Sequence, residues 1–227
     1  MKVVVFDLDD TLYHEMDYVE SGFLAVAQLL HEHYSTAVDV SLSVMRGELH
    51  ENGRGKVFDR VLEHHRLYSR SLVQKCLAVY RGHVPQIALS DDAVRCIRFL
   101  EQKQIPVYIV TDGNKLVQMR KLKALGLYSH SAIRNCYISR RFGIKNEKPS
   151  PYCFLQICTR EKVEPSEVVY IGDNPNKDFV GIKPLGFRTV RILRGGFAQL
   201  TKPALYEAER TINSLDELFG SDWDFRT

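Results

Sequence analysis

The 227-residue sequence has few of the features that mark secreted or membrane proteins. Its five cysteines are scattered, without the close spacing of a metal-binding or redox pair, and an odd number of such thiols is typical of a reducing compartment. No apolar run approaches the length that crosses a membrane, and no charged-then-apolar signal segment begins the chain. These absences predict a cytoplasmic protein without a membrane partner.

Clustered positive charge is missing as well. The net charge is only +3 and no dense run of lysine or arginine occurs, whereas nucleic-acid-binding domains usually carry a basic patch. The eight histidines include no zinc-binding pattern. We therefore expect no nucleic-acid partner, and the mild basic excess suits a small anionic substrate.

Short apolar, β-rich runs alternate with helical patterns along most of the chain. Four such runs cover residues 3–6, 107–110, 168–171 and 189–193, and a weaker one covers residues 135–139. Alternating strands and helices predict an α/β fold with a parallel sheet. Ligands of such sheets bind beyond the carboxyl ends of the strands, which is where a functional site should lie.

Residues 13–88 interrupt this alternation. They contain no convincing strand, and residues 18–34 and 71–80 have helical periodicity. The segment is too long for a simple crossover between two strands. We therefore predict a core domain of residues 1–12 and 89–227, with residues 13–88 forming a helical insertion that could close over a site at the end of the first strand.

The first strand ends in Asp7 and Asp9, two carboxylates two residues apart. Side chains at such spacing in an extended segment point the same way, so the two carboxylates should crowd each other and resist joint ionisation. A divalent cation would relieve the repulsion, and a division into a nucleophile and a proton donor would exploit it. An ordinary acidic turn explains this segment equally well when it is considered alone.

Three further segments place polar residues where strands end, and each has an ordinary explanation too. Thr111, with residues 112–114 before a helical pattern, could form an anion site or simply a helix N-cap. Lys148, just before a proline, could be a buried cation or a solvated surface lysine. Asp173 and Asp178 follow the run at residues 168–171, and they could be Mg²⁺ ligands or part of a turn. Together, in this order at one sheet edge, the four segments favour a shared site.

With these motifs the chain resembles the haloacid dehalogenase superfamily of aspartate-dependent phosphohydrolases. The matching pieces are residues 7–12, the segment at Thr111, Lys148 with Pro149, and Gly172-Asp173 with Asp178. The resemblance implies a Rossmann-like α/β core with a small α-helical cap domain inserted after the first strand. It also implies a Mg²⁺-dependent phosphatase.

The resemblance further implies roles for the acidic residues and the lysine. Asp7 would be the nucleophile and form an aspartyl-phosphate, while Asp9 would protonate the leaving group and then activate water. Mg²⁺ would be held by Asp7, the backbone carbonyl of Asp9 and Asp173. Asp178 would support the metal and Lys148 would assist in screening charge.

Substrate binding is assigned to two segments. The resemblance implies that Thr111 and the N–H groups of Asp112 and Gly113 hold the phosphoryl oxygens, with Asn114 completing this loop. In the insertion, Arg54 lies in a glycine-containing basic loop that could reach an anionic substrate, although a solvated surface is the ordinary explanation for it.

The expected function is hydrolysis of a small soluble phosphomonoester, either a sugar phosphate or a nucleoside monophosphate. Asp9 favours phosphate esters over carbon–halogen bonds, because a halide leaving group needs no proton. The sequence leaves open a phosphomutase that uses the same intermediate and a non-catalytic phosphate-binding module. It also leaves open the oligomeric state.

Overall fold

The computed structural model describes residues 1–219, and within them the chain forms a six-stranded parallel sheet. The predicted core domain extends to residue 227, so residues 220–227 of that prediction lie outside the described residues. Numbered along the chain, the strands are β1 (Val3–Phe6), β2 (Val107–Thr111), β3 (Ile133–Ile138), β4 (Val168–Gly172), β5 (Arg188–Ile192) and β6 (Arg210–Ile212). Their order across the sheet is β3-β2-β1-β4-β5-β6. The predicted Rossmann-like α/β fold is confirmed.

The middle of this sheet is buried on both faces. Every residue of β1, β2 and β4 is buried. Strands covered on both faces read as continuous apolar runs, which is why these three were visible in the sequence. β1 pairs with β2 on one side and with β4 on the other, so the carboxyl ends of the three strands meet at one edge of the sheet.

Seven α-helices occur among the described residues. They are α1 (Glu15–Tyr34), α2 (Val38–Asn52), α3 (Val57–His64), α4 (Arg70–Gly82), α5 (Asp91–Gln102), α6 (Lys115–Ala124) and α7 (Tyr152–Glu161). None of the helices in the described part of the chain is long and apolar enough to cross a membrane. α6 follows β2 directly, which places its N-terminus at the edge of the sheet where the strands end.

The chain divides into two compact units. One comprises Met1–Glu15 and the described residues from Ile87 onward, and the other, Met16–Gln86, consists almost wholly of α1 to α4. The helical unit has an apolar core of its own, which includes Phe23, Leu30, Met45, Val61 and Leu62. We predicted that the insertion begins at residue 13, but residues 13–15 belong to the core unit, in which the side chain of Tyr13 is fully buried.

The last strand, β6, was not predicted. It has three residues, of which only Ile212 is buried, and it is defined by its pairing with β5. A segment this short carries too little apolar periodicity to be recognised before its partner strand is known.

Candidate active site

A cavity of about 410 Å³ lies at the carboxyl ends of β1, β2 and β4. Its lining brings together residues that are far apart in the sequence, as expected for the edge of a parallel sheet. Seven of the predicted site residues line it: Asp7, Asp9, Thr111, Asp112, Gly113, Lys148 and Asp173.

Three buried carboxylates form the acidic part of the site. Asp7, Asp173 and Asp178 each offer one oxygen, and these oxygens lie within 4.8 Å of one another. Burial and the charges of Asp7 and Asp178 raise the pKa of Asp173 to about 9. Burial raises the pKa of Asp7 to about 7, against the lowering effect of Lys148. If all three carboxylates were ionised, the cluster would carry more negative charge than its surroundings balance, and its oxygen donors fit a divalent cation.

Lys148 is the cation that the protein itself places in this cluster. Its side chain is almost fully buried, and Nζ lies 2.6 Å from Asp7 Oδ1 and 2.7 Å from Asp178 Oδ1. Nζ also donates to the hydroxyl of Tyr170 at 2.9 Å. Burial opposes the charged form, but the two carboxylates outweigh it and raise the pKa of Lys148 well above its usual value. Lys148 is therefore a fixed positive charge beside Asp7.

Asp178 occupies the inner side of the cluster. It accepts hydrogen bonds from the Tyr170 hydroxyl at 2.9 Å and from the backbone N–H of Asn174 at 2.8 Å. A Cβ at Gly172 would lie 2.6 Å from Asp178 Oδ2, so the glycine at the end of β4 is needed for this approach. These contacts hold the carboxylate that binds Lys148 in a single position.

The side chain of Asp9 binds different partners. It accepts from Lys121 Nζ at 2.6 Å, from Gln118 Nε2 at 2.8 Å and from the hydroxyl of Tyr13. Burial alone would raise the pKa of Asp9, but the charge and hydrogen bond of Lys121, with the bonds from Tyr13 and Gln118, leave it below the usual value. In this arrangement Asp9 is ionised.

Asp9 adds less to the crowding around Asp7 than expected. Its charge raises the pKa of Asp7, but the charge of Asp178 raises it more. The reason is local: β1 ends at Phe6 and a bend follows at Leu8, so the segment is not extended and the two side chains need not share a direction.

The loop after β2 contains the groups that were predicted to bind a phosphoryl oxygen. Thr111 Oγ1 accepts from Gln118 Nε2 at 2.6 Å. The N–H of Gly113 donates to Glu147 Oε1 at 3.0 Å, and the guanidinium of Arg140 holds the same carboxylate through contacts of 2.8 and 3.0 Å. A carboxylate of the chain thus binds an N–H group that was predicted to bind a phosphoryl oxygen.

Asp112 stabilises this loop with its side chain. The carboxylate accepts from Ser139 Oγ at 2.6 Å, from the backbone N–H of Lys148 at 3.1 Å and from Lys177 Nζ at 3.0 Å. Burial raises the pKa of Asp112, but Lys148 and Lys177 bring it below its usual value. Asp112 therefore ties the end of β2 to the segment that carries Lys148.

Asn114 and Arg54, the other two residues assigned to the substrate, are not among the residues that line this cavity. The side-chain oxygen of Asn114 accepts from the N–H groups of Leu116 and Val117, which is the N-cap of α6 that we considered as the ordinary explanation. Arg54 belongs to the helical unit, where it lines a cavity of that unit. Its assignment to substrate binding stays a prediction.

Several residues of the site were not recognised in the sequence: Gln118, Lys121, Glu147, Tyr170 and Lys177. A signal existed for three of these. Gln118 and Lys121 occupy buried positions on α6 next to the buried Leu122, and polar side chains on the apolar face of a helix require partners. The hydroxyl of Tyr170 in a central strand required one for the same reason.

The chain is similar to known hydrolases and phosphatases along most of its length. A family model for haloacid dehalogenase-like hydrolases matches residues 1–186. The chain is 28% identical to a glyceraldehyde 3-phosphate phosphatase of Methanocaldococcus jannaschii, over 96% of this chain and 95% of the relative. It is 26% identical to a ribulose-1,5-bisphosphate 5-phosphatase of Halopiger xanaduensis, covering 95% and 96%. Among solved structures, the magnesium-bound HAD-hydrolase YfnB of Bacillus subtilis has a TM-score of 0.64 at 20% identity, covering 96% of each chain.

Proposed function

We propose that this chain, which belongs to the haloacid dehalogenase-like hydrolases, is a Mg²⁺-dependent phosphatase of a small phosphomonoester. One observation carries the proposal: a buried carboxylate, Asp7, lies beside a fixed cation and two further carboxylates, in the cavity that Thr111 also lines. A nucleophile, a charge-screening group and an anion site are thereby within reach of one phosphoryl group. Relatives that span nearly the whole chain and act on sugar phosphates support this choice.

The chemistry begins with Asp7. Its carboxylate attacks phosphorus, the bond to the leaving oxygen breaks, and an aspartyl-phosphate forms. Bound Mg²⁺, held by Asp7, the backbone carbonyl of Asp9 and Asp173 with Asp178 in support, would supply neutralising charge to the cluster and the phosphoryl oxygens. Lys148, at 2.6 Å from Asp7, adds a second positive charge and favours the ionised, nucleophilic form of that carboxylate.

Asp9 moves the protons. A phosphoryl group entering the cavity brings negative charge, which raises the pKa of a neighbouring carboxylate and favours its protonated form. Asp9 then donates this proton to the departing alkoxide. The resulting ionised Asp9, stabilised by Lys121 at 2.6 Å, takes a proton from the water that cleaves the aspartyl-phosphate.

The helical unit also has a role in the proposal. We propose that residues 16–86 act as a cap domain that selects the substrate, with Arg54 as one contact to its anionic part. An Arg54→Gln variant should then raise KM for the best substrate without lowering kcat, and an unchanged KM would remove Arg54 from this role.

We also propose a cytoplasmic location, in keeping with cysteines that form no disulfide among the described residues.

The proposal is tested by phosphate release from a panel of phosphomonoesters, with Mg²⁺ and with EDTA. We expect metal-dependent release from a phosphorylated sugar that disappears in the Asp7→Asn variant. The exposed Asp39→Asn variant, in which the same change is made in the first turn of α2, serves as the matched control. Isomerised phosphate ester without free phosphate would indicate a phosphomutase. Phosphate binding without turnover would indicate a binding module.

A further inference from the structure

Gln118 is a buried glutamine whose side-chain amide lies between two groups of the site. Gln118 is 3% exposed, and its Nε2 lies 2.8 Å from Asp9 Oδ2 and 2.6 Å from Thr111 Oγ1. Asp9 follows β1, Thr111 ends β2 and Gln118 lies in α6, so three elements of the core unit converge on this amide. One side chain therefore links the proposed proton carrier to the proposed phosphate-binding hydroxyl.

The chemistry of the partners determines the direction of each hydrogen bond. An ionised carboxylate only accepts, so the nitrogen of the Gln118 amide, not its oxygen, must face Asp9. That nitrogen has two hydrogens, one for Asp9 and one for Thr111 Oγ1, which consequently accepts. A hydroxyl has a single hydrogen, and that of Thr111 remains available to donate to a ligand in the cavity that Thr111 lines.

We propose that Gln118 is a positioning residue for phosphoryl transfer. It presents the Thr111 hydroxyl as a donor to the phosphoryl group and holds Asp9 in place for the leaving group. Lys121 Nζ and the Tyr13 hydroxyl bind the other oxygen of the Asp9 carboxylate, so the orientation of that carboxylate is held from both sides. This inference rests on the proposed phosphatase function, and the alternative is a glutamine that only satisfies buried polar groups.

The Gln118→Met variant removes both donors and keeps the length of the side chain. We expect kcat/KM for β-glycerophosphate, an alkyl ester with a poor leaving group, to fall about 10- to 100-fold, a part of what general acid catalysis provides. For p-nitrophenyl phosphate, whose leaving group needs no proton, only the weaker binding of the phosphoryl group remains, so the loss should be about 3- to 10-fold and smaller than that for β-glycerophosphate. kcat/KM is the suitable quantity because it does not include the later hydrolysis of the aspartyl-phosphate.

Binding of inorganic phosphate gives a second readout that does not require turnover. Loss of the Thr111 orientation should weaken phosphate binding, measured by calorimetry, about 3- to 10-fold, which corresponds to one hydrogen bond. In a Thr111→Val background, Gln118→Met should cause no further weakening, because the hydroxyl through which Gln118 acts is already absent.

The control is Leu122→Ala, which alters a buried apolar residue of the same helix. A variant that affects only packing should lower kcat/KM for both esters by the same factor. If Gln118→Met does this too and leaves phosphate binding unchanged, the positioning role is refuted. If wild-type protein releases no phosphate from any ester, the proposed function fails, and the calorimetric cycle with Thr111→Val still decides whether Gln118 orients that hydroxyl.

Discussion

Glu147 contacts the loop after β2 that we propose as the phosphate-binding loop, and a change of its charge gives a sharp test of that role. Its carboxylate accepts the N–H of Gly113 at 3.0 Å and is held by Arg140, and all three residues line the cavity of the candidate active site. A phosphoryl oxygen that uses the same N–H must displace this carboxylate and then lie near it. In the Glu147→Gln variant we therefore expect phosphate to bind more tightly than in the wild-type protein.

The magnitude follows from the repulsion between like charges. Two unit charges about 5 Å apart repel by about 1 kcal/mol in water and about 3 kcal/mol at an effective dielectric constant of about 20. The side chain of Glu147 is only 16% exposed, which favours the upper end of this range, but the guanidinium of Arg140 neutralises much of its charge, so we use the lower end. An energy of about 1 to 1.4 kcal/mol corresponds to binding that is about five- to tenfold tighter.

The assay is calorimetric titration with inorganic phosphate, supported by its inhibition constant against p-nitrophenyl phosphate. Glu209→Gln is the matched control, since Glu209 pairs with Arg188 at 2.8 Å and does not line the cavity. Phosphate affinity in the control should equal that of the wild type. Unchanged or weaker binding in Glu147→Gln would show that Glu147 supports the loop and does not compete with the phosphoryl group.

Three further predictions concern the charged clusters. Asp7→Asn should abolish turnover and raise the melting temperature of metal-free protein, because one of three crowded carboxylates is neutralised. EDTA should lower the melting temperature of wild-type protein in Mg²⁺ but not that of Asp7→Asn, as thermal unfolding will show. Burial raises the pKa of Asp92, but hydrogen bonds from Ser90, from the N–H of Leu215 and from Arg194 outweigh burial and lower this pKa to about 2. The Asp92→Asn variant should therefore lose about 2 kcal/mol of unfolding free energy above pH 4, as measured by denaturant titration. This loss should become smaller as the pH falls towards 2.

Much of the core could be predicted because its strands are buried on both faces. Residues 3–6 form an uninterrupted apolar run, and the structure has β1 at those residues. The same property made the strand ends recognisable, since polar residues such as Asp7 and Asp173 stand out directly after such runs. Apart from Lys148, the site residues that sequence reasoning found lie at the end of a strand or shortly after it.

The site residues that sequence reasoning did not find act through contacts that only the fold creates. Gln118 and Lys121 reach Asp9 from α6, more than a hundred positions along the chain. Glu147 reaches Gly113 from the segment before Lys148. No local periodicity encodes these pairings, because they depend on which strands become neighbours and on where each helix begins.

Asp7 and Asp9 show how such contacts give two carboxylates of one motif opposite pKa shifts. Asp7 lies among Asp173, Asp178 and Lys148, and burial raises its pKa to about 7, so it needs added positive charge to be ionised. Asp9 is already ionised through Lys121, and it needs added negative charge to take up a proton. In the proposed mechanism, Mg²⁺ would provide the first and the phosphoryl group of a substrate would provide the second. Binding of both ligands would then convert the pair into a nucleophile and an acid.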